Sequence, residues 1–118
     1  MKAGNVIQEK SFAFAIRIVK VYNYLISEKK EFVLSKQLLR SGTSIGANIE
    51  ESIGGQSEKD FLSKLSISYK ETRESIYWIK LLNATGYLNK RETQSLLHDA
   101  NEICKILGKI QITLKSCN

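Results

Sequence analysis

Apolar residues recur at spacings of three and four along almost the whole chain, and nowhere do they alternate with polar ones for long enough to mark a strand. There is no proline and no Asn-Gly hairpin signal. The pattern therefore predicts an all-α protein. The first periodic segment spans about 8–29 and runs out in SEKKE. A second covers 35–53, with Ser35 as its expected N-cap and Gly54-Gly55 as its stop. Ser57 and Asp60 have the spacing that satisfies orphan backbone donors, which opens a third helix over 58–85. Gly86 suits a left-handed C-cap, and Asn89 with Glu92 repeats the capping pattern ahead of a fourth helix over 90–115. Short connections between long helices make antiparallel neighbours, so the expected fold is an up-down four-helix bundle.

Spacing the residues at 100° intervals shows which faces must be covered. In the fourth helix Leu96, Ala100, Ile103, Leu107, Ile110 and Leu114 form one stripe, opposite His98, Asn101, Lys105 and Lys109. The first helix carries two stripes, Phe12, Ile16, Val19 and Ile26 on one side and Phe14, Ile18, Val21 and Leu25 on another. So does the third, with Phe61, Leu65, Ser68, Thr72, Ile76 and Ile79 apart from Ile67, Glu71, Glu74, Trp78 and Leu81. One bundle core absorbs one stripe per helix. A second stripe rich in aromatics would be an apolar patch that soluble monomers rarely leave bare. The expectation is a homo-oligomer, with Phe14, Ile18, Val21, Leu25, Ile67, Trp78 and Leu81 as interface candidates. The alternative is a broad apolar arc partly covered by the chain termini.

Composition adds scale and charge to this outline. A chain of 118 residues, 42% hydrophobic and 25% charged, matches one soluble domain over 1–118. No apolar run reaches the length of a membrane span, and MKAGNVIQEK lacks the apolar core of a signal peptide. The expected location is the cytoplasm, with no membrane partner. A net charge of +6 makes acidic partners plausible, but its distribution is uneven. Residues 1–49 carry eight basic and three acidic groups, 50–74 four and six, and 75–118 six and three. Lys10, Arg17, Lys20, Lys36 and Arg40 are candidates for contact with nucleic-acid phosphates. A merely solubilising surface is the competing reading. Cys104 and Cys117 have neither CxxC spacing nor a histidine nearby, and are read as reduced structural thiols.

No residue pattern carries catalysis. His98 falls on a polar face, and Glu50, Glu51, Glu71 and Glu74 lack the Glu-x-x-His pattern of bundle metal sites. GxGxxG and GxxxxGK[ST] are both missing. The chain is expected to be no enzyme and to need neither cofactor nor metal. Its most unusual stretch is RSGTSIGANIEES, residues 40–52, where poor helix formers crowd a helix. Gly42 and Gly46, one turn apart, would let another backbone come close. Ser41, Ser44, Asn48 and Glu51 form a polar seam beside the apolar arc of Leu38, Ile45, Ile49 and Ile53. Buried groups there need partners from a neighbouring helix, another subunit or a ligand. Arg40 and Arg73 are candidates to pair with the nearby glutamates.

These residues carry a family resemblance. QLLRSGTSIGANIEES resembles the signature of the four-helix bundle proteins also called 23S ribosomal RNA intervening-sequence proteins, matched at Gln37, Arg40, Ser41, Ser44, Ile45, Asn48, Ile49 and Glu51. DFLSKLSISYKETRESIYWIKLL is similar to the pattern of one subgroup, matched at Phe61, Lys70, Glu71, Glu74, Tyr77 and Trp78. Ser52 departs from it, since many members have glycine there. The resemblance implies a bundle assembling as a ring, a homopentamer, without enzymatic activity. Some members are encoded within insertions in ribosomal RNA genes. The accessory variability determinant of diversity-generating retroelements looks like a relative that binds nucleic acid and a reverse transcriptase. Two functions follow as expectations: an oligomer that binds RNA or DNA through basic groups, or a scaffold for a partner protein such as a reverse transcriptase. An enzyme using the Asn48 and Glu51 seam is a distant third.

Overall fold

The structure, a computed structural model that describes residues 2–116 with side chains from 6 to 114, contains α1 (Lys2–Ser27), α2 (Leu34–Ile53), α3 (Glu58–Ala84) and α4 (Lys90–Ser116). Cys117 lies outside the described residues. Several predicted ends are built as expected. The Ser57 hydroxyl accepts from the Asp60 N–H at 3.1 Å, and Asn89 Oδ1 accepts from the Glu92 N–H at 2.8 Å. Gly86 takes φ 87°, and just beyond it the Tyr87 N–H returns to the Leu82 carbonyl at 2.9 Å. Two ends differ. α1 begins at Lys2, several residues earlier than its sequence pattern suggests, and carries Ile7 into the core at 1% exposure.

The start of α2 corrects the assignment of Ser35 as its cap. Val33 occupies the N-cap position and contributes no side-chain hydrogen bond. Instead the carboxylate of Glu31 accepts from the N–H groups of Val33, Leu34 and Ser35 at 3.1, 3.0 and 2.6 Å. Ser35 is buried inside the first turn, its hydroxyl donating to the Glu31 carbonyl at 2.7 Å. Lys30 turns the chain into this arrangement with φ 54°, and the Glu31 N–H closes α1 on the Leu25 carbonyl at 3.0 Å. These backbone hydrogen bonds hold the Glu31 carboxyl below the ordinary range despite burial, which acts in the opposite direction as the largest single influence.

Side-chain pairs fix an antiparallel register throughout. Gln8 meets Glu50 across α1 and α2, Ser75 meets Ser41 across α3 and α2, and Lys10 meets Glu102 across α1 and α4. The result is an up-down bundle measuring 47 × 21 × 19 Å. Leu96, Ala100, Ile103 and Leu107 are buried, whereas His98, Asn101, Lys105 and Lys109 face out, as the stripe on α4 requires.

α1 presents the opposite face from the one assigned. Phe14, Ile18, Val21 and Leu25 are 0–6% exposed and form the bundle core, so they are not interface residues. Together with Ile7 and Ser11 they repeat at 7, 11, 14, 18, 21 and 25, a sustained heptad seam. The outward stripe is Phe12, Ile16 and Val19, at 69, 44 and 42% exposure. The inner stripe wins because α2 has room for it. A Cβ on Gly42 would stand 2.8 Å from Ile18 Cγ1, and one on Gly46 would stand 3.4 Å from Ser11 Oγ. The two small residues thus seat α1 against α2.

Candidate nucleic-acid interface

The polar seam of α2 is satisfied within the chain. Ser44 donates to the Arg40 carbonyl at 2.6 Å and Asn48 to the Ser44 carbonyl at 2.8 Å, both bonds local to the helix. Ser41 is buried, donates to the Leu38 carbonyl and accepts from Ser75 at 2.9 Å. Ser68 reaches across to the Ile45 carbonyl at 2.9 Å. Ser52, the departure from the family pattern, is buried and donates to the Ile49 carbonyl at 2.6 Å. Glu51 is exposed and pairs with Lys64 at 3.1 Å. Hydrogen bonds to the preceding turn explain how so many hydroxyls fit a helix against a core.

Arg40 pairs with Glu71 and Glu74, as the sequence suggests, while Arg73 stands exposed with no ion pair among the described residues. Glu74 also accepts from the Trp78 indole at 2.9 Å. That bond, ahead of Arg40, draws the Glu74 carboxyl below its ordinary range against the opposing effect of burial. Glu71, Glu74, Trp78 and Leu81 are half-buried and Ile67 is 40% exposed, so the outer α3 stripe mixes this network with apolar surface. Because Arg40 is 51% exposed, Arg40→Met should cost under about 1 kcal/mol in urea unfolding.

Of the five basic candidates, three already hold carboxylates of the same chain. Lys10 pairs with Glu102, whose hydrogen bond raises the ammonium's affinity for its proton. Arg17 holds Asp99 at 2.8 Å and Glu92 at 3.3 Å, and Arg40 is engaged as above. Lys20 and Lys36 are exposed and, among the described residues, unpaired. The larger group of unpaired cations sits where sequence order alone did not show it. The α1–α2 and α3–α4 connections lie at one end of the bundle, bringing exposed Lys29, Lys30, Lys36, Lys80, Lys90 and Arg91 to that end. Over the same stretches, 28–36 and 80–92, the carboxylates are Glu28, the buried Glu31 and Glu92, which Arg17 holds. The connection at the other end is flanked by Glu50, Glu51, Glu58 and Asp60, with Lys59 and Lys64 among them. The two-connection end is therefore the richer in exposed cations, a cationic loop end. The signal lay in two runs, EKK at 28–30 and NKR at 89–91, which only the antiparallel topology brings together.

Among the described residues no group of three His, Cys, Asp or Glu side chains is placed to hold a metal ion, and no helix is long and apolar enough to cross a membrane. With this geometry in hand, the family model of the 23S rRNA-intervening sequence protein matches residues 4–109. The chain belongs to that family. A solved relative in the S23 ribosomal protein family, a protein of unknown function from Bacteroides thetaiotaomicron, is 50% identical. It superposes with a TM-score of 0.91, over 92% of this chain and 97% of its own. No functionally curated protein matches the chain. Family membership thus agrees with the bundle and with the signature in α2, whose Arg40, Ser41, Ser44 and Asn48 are occupied in holding α2 to itself and to α3.

Proposed function

We propose that the protein is a non-enzymatic cytoplasmic homo-oligomer that binds RNA or DNA by its phosphates. The cationic loop end carries this reading: Lys29, Lys30, Lys36, Lys80, Lys90 and Arg91 are exposed, unpaired among the described residues and gathered by the topology. Such contacts are electrostatic, sequence-tolerant and weakened by salt. The exposed stripe of Phe12, Ile16 and Val19 supports self-association, since it is apolar surface of the kind that another copy covers. The assembly is a ring, the homopentamer expected from the family resemblance. Copies sharing one orientation in such a ring would set their cationic ends on one rim.

Native mass measured with and without nuclease tests both parts together. The expected result is an oligomer that loses mass when co-purifying nucleic acid is digested. A monomer free of nucleic acid defeats the proposal. Replacing Phe12 and Ile16 with lysine should dissociate the oligomer while leaving the bundle folded by circular dichroism. The quadruple change Lys29→Gln, Lys30→Gln, Lys90→Gln and Arg91→Gln should flatten the salt dependence of RNA binding. Lys10→Gln, which removes a cation already paired with Glu102, should leave it unchanged.

A second reading is a scaffold that docks a partner protein, such as a reverse transcriptase, without nucleic acid. The engagement of Lys10, Arg17 and Arg40 in ion pairs of the chain itself favours it. A partner retained after nuclease treatment, with no RNA affinity at about 50 mM salt, would select this reading.

A further inference from the structure

We infer that the cleft between α1 and the start of α4 receives one nucleotide of a single-stranded nucleic acid, with its base against Tyr24 and its phosphate on Lys20. This rests on the nucleic-acid reading above and adds to it a site and a strand preference. The cleft has a volume of about 350 Å³, within the range of small-molecule sites. Its floor is apolar, made by Val21 and Leu88, each nearly buried. Tyr24 stands beside that floor at 43% exposure, a flat aromatic wall open to a ligand. A floor and wall of this kind suit a base that has left its stack, whereas a base inside a duplex cannot reach them.

The polar groups fit the rest of a nucleotide. Lys20 lines the cleft, is exposed and forms no ion pair among the described residues. Arg17 also lines it but is shared between Asp99 at 2.8 Å and Glu92 at 3.3 Å, so Lys20 is the cation of the cleft left to meet a phosphate. Asn89 Oδ1 is taken by the Glu92 N–H, which turns the carboxamide N–H₂ into the free donor of that side chain. Lys90 and Arg91 follow Asn89 directly and belong to the cationic loop end. A strand with one base in the cleft thus has further cations along its path. The sequence singled out Arg17 and Lys20 but not Tyr24, because only the packing of α1 against α4 places an aromatic between them and Leu88.

The test uses the full-length protein in its native assembly and three fluorescently labelled probes: an eight-nucleotide oligouridylate, an RNA duplex of equal charge, and an abasic oligomer of equal length. Tyr24→Ala should weaken oligouridylate binding by about five- to a hundredfold. It should leave the duplex and the abasic probe unchanged, and Tyr24→Phe should restore affinity. Lys20→Gln should weaken the oligouridylate and the abasic oligomer alike. Thermal unfolding of Tyr24→Ala at the parent's temperature confirms that an exposed ring was removed from an intact bundle. Suppose Tyr24→Ala and Lys20→Gln bind oligouridylate as tightly as the parent while the quadruple loop-end variant loses it. The cleft is then not the site, although the protein binds nucleic acid. If the parent binds none of the probes, both readings fall together.

Discussion

Glu31→Ala should lower folding stability by about 2–3 kcal/mol at neutral pH, read from urea unfolding at fixed protein concentration. The loss follows from what the carboxylate does. It accepts from three successive N–H groups at the start of α2, at 2.6–3.1 Å, in a place that leaves Glu31 8% exposed. Alanine would leave those donors without their acceptor and with little water to replace it. Glu31→Gln keeps one oxygen and should fall between the two. The pH dependence has a definite sign. The folded-state carboxyl lies below its unfolded value, so its contribution is complete above the ordinary glutamate pKa of about 4.3 and fades as pH falls through the folded value. Parent and Glu31→Gln should therefore differ at pH 7 and converge in acid. A gap that persists unchanged to low pH would mean that the charge is not what holds α2.

Gly42→Val should cost about 3 kcal/mol or more, and Gly42→Ala distinctly less. An added Cβ meets Ile18 at 2.8 and 2.9 Å from its two γ-carbons, and Ile18 is wholly buried and β-branched, so it cannot swing away. Alanine recovers about 1 kcal/mol of helix propensity against that clash, while valine adds bulk without the same gain. The pair Gly42→Ala with Ile18→Ala separates packing from propensity. Truncating Ile18 alone leaves a cavity, and the new methyl on residue 42 should fill part of it. The double variant should then lose at least about 1 kcal/mol less than the sum of the singles. Strict additivity would show that close approach of α1 is not the reason for this glycine.

Much of this molecule is written locally. The ends formed by Ser57, Gly86 and Asn89 were legible because the bonds span only a few residues, and the α4 stripe because that helix has one apolar face. Two features needed the folded chain. Glu31 caps α2 from outside the helix through a side chain long enough to reach past Val33, so the nearer Ser35 attracted the assignment. α1 has two apolar stripes, and the choice between them depends on Gly42 and Gly46 of a different helix. The seam at Ser41, Ser44 and Asn48 was legible as a demand for partners, but not that α2's own carbonyls would supply most of them. Arg40 reaches Glu71 and Glu74 from a different helix, whereas Arg73 stands between those two glutamates in sequence and, among the described residues, pairs with neither.

Trp78 is the single tryptophan of the chain. Its indole N–H is bound to Glu74, the carboxylate that also takes Arg40, and Tyr77 lies edge-on at 5.0 Å between ring centres. The bundle thus carries its own optical probe on the outer face of α3, one tryptophan that can be excited at wavelengths where the five tyrosines absorb little. Loss of Arg40, protonation of Glu74 or coverage of that face by another molecule would each alter the surroundings of the same fluorophore, so any such event can be followed without attaching a dye.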